Sequence, residues 1–142
     1  MSAENGTSRP LWQWSACELS EGIAAHAVSC IDAVRSVGER MRATNGHLNA
    51  VVDDLGDAAL AEAEAHDRLM ADGQSLGPLH GVPVTIKENI DQAGRATPNG
   101  VVGYKDVIAP GDAPVVSNPK KAGAIVIGRT NTPEYSFRGT TV

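Results

Sequence analysis

Gly77-Pro78-Leu79-His80-Gly81-Val82-Pro83-Val84-Thr85-Ile86-Lys87-Glu88-Asn89 is the stretch that decides the fold. A Gly- and Pro-rich turn over Gly77–Gly81 feeds an apolar, β-branched run over Val82–Ile86, which predicts a strand. Pro83 has no N–H to give to a ladder, so that strand belongs at a sheet edge or starts at the proline. One lysine, Lys87, closes the run. Burial disfavours an ammonium and turns an ordinary cation into a base. A free lysine titrates near ~10.4, and a lysine base must be brought to roughly 7–8. Glu88 would oppose that shift only if it met Lys87, and neighbours along a strand point to opposite faces. By spacing alone a strand-end lysine reads as a solvent-facing residue.

Working back toward the N-terminus, residues 55–71 are rich in Ala, Glu and Leu and predict a helix closed by Gly73. Its charges Glu62, Glu64, Asp67 and Arg68 read as a solvated face. Leu48–Val52 reads as a short strand. Ser29 with Asp32 starts an earlier helix, with Ile31, Val34 and Met41 on one face and a left-handed stop near Thr44-Asn45-Gly46. Ser15 with Glu18 has capping-box spacing, and Leu19, Ile23 and Ala27 follow at helical spacing. Residues 1–13 have no period and read as a flexible tail; 14–142 form one folded portion.

Beyond Lys87 the chain turns irregular, with Gly94, Pro98, Asn99, Gly100 and Gly103 marking a long connection to Pro110. A connection of that length is functional or packed on something else. Asp112 is positioned to cap a helix starting at Ala113-Pro114-Val115. Ala124–Ile127 is wholly apolar, as in a strand covered on both faces. Thr132-Pro133-Glu134 reads as a further helix start. Helices alternating with apolar strands predict an α/β layer fold.

The bulk numbers bound the function. At 142 residues with 42% apolar content, the chain is one domain's length and not disordered. A net charge of -5 without a Lys/Arg stripe excludes an electrostatic nucleic-acid binder. No run of 18 apolar residues occurs, so no membrane span is expected. Cys17 and Cys30 form no Cys-x-x-Cys pair and read as small helix residues in a cytoplasmic setting. No phosphate-loop, dinucleotide or His-Glu-x-x-His motif occurs. His26, His47, His66 and His80 are far apart in sequence, so no metal or other cofactor is implied. His80 reads as turn packing.

The stretch 77–87 resembles the N-terminal motif of the amidase signature family. The resemblance continues through Asn89-Ile90-Asp91, through 109–116 and through 122–134, and Leu48–Val52 is similar to the segment before that family's alanine-rich helix. It covers nearly all the chain from Trp14 onward. It implies the N-terminal part of the amidase signature fold, a mixed β-sheet covered by helices, and hydrolysis of a carbon–nitrogen amide bond. It also implies a mechanism: a serine nucleophile, a second serine on a cis peptide bond, and a lysine base at the position of Lys87. Backbone N–H groups of a Gly-rich loop would hold the oxyanion. Ser136 and Phe137 fall in the segment that approaches the acyl pocket in relatives, which makes them candidate substrate-binding residues.

The chain departs from the family at three places. Glu88 stands where the family usually has Asp, and Pro119 falls inside the helix after Asp112 at a usually apolar position. The Gly-Gly-Ser-Ser-Gly-Gly-type stretch that holds both serines does not occur in residues 1–142. The expectation is an N-terminal portion cut before that motif, inactive alone, with Lys87 an exposed cation and sheet edges prone to self-association. A non-catalytic fragment or interaction module is the second reading. A portion of the glutamyl-tRNA amidotransferase component that carries the amidase fold (its A chain) is the third, with partner proteins required. Otherwise the expected partner is a small amide substrate.

Overall fold

The computed structural model describes residues 9–141. Its elements are helices α1 (Ala16–Ala24) and α2 (Cys30–Leu48), strand β1 (Val51–Asp54), helix α3 (Gly56–Ala71), strand β2 (Pro83–Lys87), helix α4 (Pro114–Lys121) and strand β3 (Ile125–Thr130). Short 3-10 turns occupy Leu11–Gln13, Val102–Tyr104 and Glu134–Ser136. The sheet order is β1-β3-β2. β2 runs parallel to β3, and β1 runs antiparallel to it. This is the mixed sheet covered by helices that the family resemblance implies. Pro83 opens the outer strand β2, where its missing N–H disturbs no central ladder.

β3 sits in the centre because its residues are apolar on both faces. Ile125 and Ile127 pack into a cluster with Leu19, Ile23, Cys30, Val34, Ala59 and Ala63 from the layer of α1, α2 and α3, and with Val82, which leads into β2. Val126, between them, points the other way, into a cluster with Leu55, Ile86 and Val116 of α4. Such alternation is the period-2 signature of a strand, here with both faces covered. Burying Ile125 fully is worth about 1.5–3 kcal/mol. Ala59 and Ala63 are fully buried on one stripe of α3, and their small size lets that helix approach the sheet closely.

Several boundaries differ from the sequence reading. The Ser15 capping box and the Ser29 cap form as expected. α2, however, passes Gly46 and ends at Leu48, with Asn49 supplying the left-handed residue (φ 49). Asn45 ties that end to β1: its Oδ1 accepts from the N–H groups of Ala50 and Val51, and its Nδ2 donates to the Val51 carbonyl. The strand therefore starts at Val51 and not at Leu48, which is helical and exposed.

Asp67 is not part of a solvated face. Its two carboxylate oxygens accept from the N–H groups of Cys30 (2.7 Å) and Ile31 (3.1 Å), the first donors of α2. Asp112 does not cap α4, whose N-cap Ala113 has no side-chain partner. It accepts instead from Ala93 N–H and from Lys120 Nζ, which hold its carboxyl below the usual range, Lys120 most strongly. Pro119 does not end α4, which continues to Lys121. It leaves the Val115 carbonyl without a helical donor.

The segment read as a tail divides. Residues 1–8 lie outside the described residues, whereas Leu11 packs on the core and the Trp12 N–H donates to Ser36 Oγ of α2. The apolar side chains of an aperiodic stretch found a surface to cover. Among the cysteines, Cys17 is exposed and Cys30 fully buried, and burial pushes the Cys30 thiol up to about 12, with Asp67 adding to it. No described helix is long and apolar enough to cross a membrane.

Candidate active site

The turn before β2 sets the strand's position. Gly81 has φ +78, and a Cβ there would collide with Cys30 Sγ, so only glycine brings this turn against α2. Gly81 N–H donates to the Gly123 carbonyl and Leu79 N–H to the Ala122 carbonyl, which stitches the starts of β2 and β3 together. His80 is buried. Its Nδ1 accepts from Leu76 N–H, so the proton sits on Nε2, which donates to the His66 carbonyl at 3.1 Å. His80 thus fastens a turn, as the sequence reading held. The two histidines far apart in sequence are neighbours in the fold, with ring centroids 4.7 Å apart. Burial, then His80, lowers the His66 pKa, so the ring stays neutral near pH 7. No group of three or more His, Cys, Asp or Glu side chains converges as metal ligands among the described residues.

β2 carries Lys87 to its C-terminal end, paired with Thr130 of β3. Lys87 is half-buried, and its Nζ donates to Ser136 Oγ at 3.0 Å. It is therefore not the freely exposed cation that the sequence reading expected. The reason is that the chain leaving β3 folds back over the end of β2. Tyr135 and Ser136 adopt positive φ (46 and 58) to make that return. Thr132, read as a helix cap, caps nothing: only a 3-10 turn follows, and its Oγ1 lies 3.1 Å from Ser136 Oγ. Asn89 Nδ2 also donates to Ser136 Oγ, at 3.1 Å.

Of the three candidate residues, Lys87 and Ser136 meet. Phe137 does not join them: it is 85% exposed and packs on Tyr135, with ring centroids 5.8 Å apart. A cleft of about 460 Å³ opens beside the pair, walled by Glu88, Gly100, Lys105, Thr132, Glu134 and Arg138 among others. Thr132 is shared between this wall and the Ser136 network. Gly100 (φ +71) lines the cleft, and a Cβ there would sit 2.7 Å from Glu134 N.

A buried cation, missed in the sequence reading, supports this corner. Arg129 of β3 is 3% exposed and donates to the carbonyls of Ala96 (2.6 Å), Glu88 (2.8 Å) and Ile90 (3.2 Å). Burial lowers its pKa, and Asp53 and Glu88 oppose that shift. The only signal in sequence was a lone arginine at the end of an apolar strand, which does not say what it will hold.

Residues 32–142 match the Amidase family. The chain belongs to the amidase family. An indoleacetamide hydrolase from Bradyrhizobium diazoefficiens is 58% identical over 93% of this chain and 25% of its own length. An acylamidase from Rhodococcus erythropolis is 35% identical over 95% of this chain and 28% of its own. Among solved structures, a bacterial aryl acylamidase of the amidase signature enzymes superposes with a TM-score of 0.83 at 30% identity, over 94% of this chain and 28% of that one. The chain thus spans about a quarter of the length of the amidases it matches.

Proposed function

We propose that this chain supplies the general base, Lys87, of a serine-based amide hydrolysis. The observation that supports it most is the Lys87 Nζ to serine Oγ contact of 3.0 Å at the end of β2, beside an open cleft. In its neutral form Lys87 takes the proton of a bridging serine hydroxyl. That serine then deprotonates the nucleophilic serine, which attacks the amide carbonyl. The proton returns to the leaving nitrogen as the carbon–nitrogen bond breaks, and water then releases the acyl group.

Both serines of this scheme belong to a Gly/Ser-rich stretch outside residues 1–142, so the complete reaction draws on polypeptide beyond them. An ammonium has three donors. Ser136 takes one, which leaves Lys87 able to bond a second hydroxyl. The 58% identity to an indoleacetamide hydrolase makes indoleacetamide the first substrate to test.

The test begins with the coding DNA beyond codon 142 and the intact mass of the natural protein. A frame continuing into a Gly-Gly-Ser-Ser-Gly-Gly stretch, with indoleacetamide turnover lost in Lys87→Ala by a factor on the order of a hundred or more, supports the proposal. Turnover that survives Lys87→Ala refutes it. A product that ends at Val142 and turns over nothing supports the interaction-module reading instead. Activity that appears only with partner proteins favours the amidotransferase reading.

A further inference from the structure

We infer that Asn89 is a positioning residue of this site: jointly with Lys87 it holds the Ser136 hydroxyl, and so fixes where the Lys87 amine sits. The inference deepens the reading of Lys87 as a base and rests on it. Two donors converge on one oxygen, Lys87 Nζ at 3.0 Å and Asn89 Nδ2 at 3.1 Å. A hydroxyl has two lone pairs and one proton. Lys87 and Asn89 fill both lone pairs of Ser136 Oγ, so its proton points to Thr132 Oγ1, 3.1 Å away. Thr132 Oγ1 passes its own proton on to the Pro133 carbonyl at 3.2 Å. The hydroxyl is thereby fixed in direction as well as in place.

Two further observations set Asn89 apart from a packing residue. Its Oδ1 is buried without a partner. An unsatisfied buried carbonyl is costly and rare, and orienting the other end of the side chain accounts for it here. The backbone around it is held on both sides: Arg129 donates to the carbonyls of Glu88 and Ile90, the residues flanking Asn89. A buried guanidinium spent on those two carbonyls keeps the Asn89 amide aimed at the oxygen that Lys87 serves. Chemically, the Ser136 oxygen fixed in this way accepts from Lys87 Nζ and holds the amine in place for a second hydroxyl, while the Asn89 amide itself neither gains nor loses a proton.

The deciding experiment is nitrogen-15 NMR of the 142-residue chain, reading water exchange of the Lys87 ζ protons and the Asn89 δ-amide signal. Ser136→Ala and Asn89→Ala are each expected to speed Lys87 ζ-proton exchange by about fivefold. The double variant is expected to exchange no faster than the worse single one, because both act through one oxygen. Asn89→Leu keeps the volume and removes the donor without adding charge beside Lys87, so it guards against a folding defect and is expected to reproduce the effect. Unchanged exchange in the Asn89 variants, or fully additive effects in the double variant, would overturn the inference. Where the natural polypeptide hydrolyses indoleacetamide, Asn89→Ala is expected to lower kcat on the order of tenfold at little change in KM, because the base is less well placed. A loss confined to KM would also overturn it. Failure of the parent reading would show separately, as turnover that survives Lys87→Ala.

Discussion

Asp67→Ala is expected to destabilise the protein by about 3 kcal/mol, although Asp67 sits on a helix whose charges read as solvated. The Asp67 carboxylate accepts from Cys30 N–H at 2.7 Å and Ile31 N–H at 3.1 Å, 37 and 36 residues away. Ser29 Oγ serves only the next donor, Asp32 N–H. Removing Asp67 therefore strips two of the first three N–H groups of α2, one of them on a residue that is 0% exposed. A hydrogen bond to a charged group contributes about 1.5–3 kcal/mol, and the lower figure suits a half-buried carboxylate. Two such bonds give the 3 kcal/mol quoted. With unfolding entropy of about 2.1 cal/mol/K per residue over a chain of this length, that loss lowers Tm by about 10 °C. Asp67→Asn keeps one acceptor and is expected to lose about half as much. Thermal and urea unfolding of the three proteins, followed by circular dichroism, measures this. An Asp67→Ala melt within about 2 °C of the parent would refute the reasoning and restore the solvated-face reading.

Gly123→Ala is expected to abolish the folded state or cost more than about 3 kcal/mol. Gly123 has φ +94, and its Cβ would lie 2.6 Å from His80 Cα, a backbone atom of the turn that sets β2. Soluble yield and the circular dichroism melt report it. Stability is also expected to fall in two stages as the solution is acidified. The His66 pKa is lowered by burial and His80, so its contribution is whole above the unfolded histidine value of ~6.5 and is lost as pH falls through the folded value. Asp54, held down by Arg42, and Asp112, held down by Lys120, contribute fully above the unfolded aspartate value of ~3.9 and lose it as pH falls through their folded values. Urea midpoints across this range should show both stages, with His66→Gln removing only the upper one.

The alternation of β-branched runs with capped, periodic helices made the α/β class legible, because these signals act within one turn or one strand of the chain. Ser15 and Ser29 cap the helices they announce, since a hydroxyl reaching an N–H three residues on needs nothing from the rest of the molecule. The fully apolar run at residues 124–127 likewise announced its burial on both faces. Lys87 stood out by its place at the end of such a run, and the motif around it pointed to its family.

Long-range pairing was not legible. Asp67 looked like any exposed helix acid until the fold brought the open end of α2 to it. Thr132 and Asp112 had the form of caps, yet better-placed partners captured both. Only the return of the chain over the end of β2 put Ser136 within reach of Lys87 and Asn89, 49 residues separating it from the first and 47 from the second. The sequence by itself determined where the capped helices and the apolar strands lie, because those follow from local sterics and periodicity, and its family motif marked Lys87 as the base candidate. The tertiary structure alone decided which oxygen that base faces and which buried arginine holds the loop beside it, because charge and hydrogen-bond partners are chosen by distance in space.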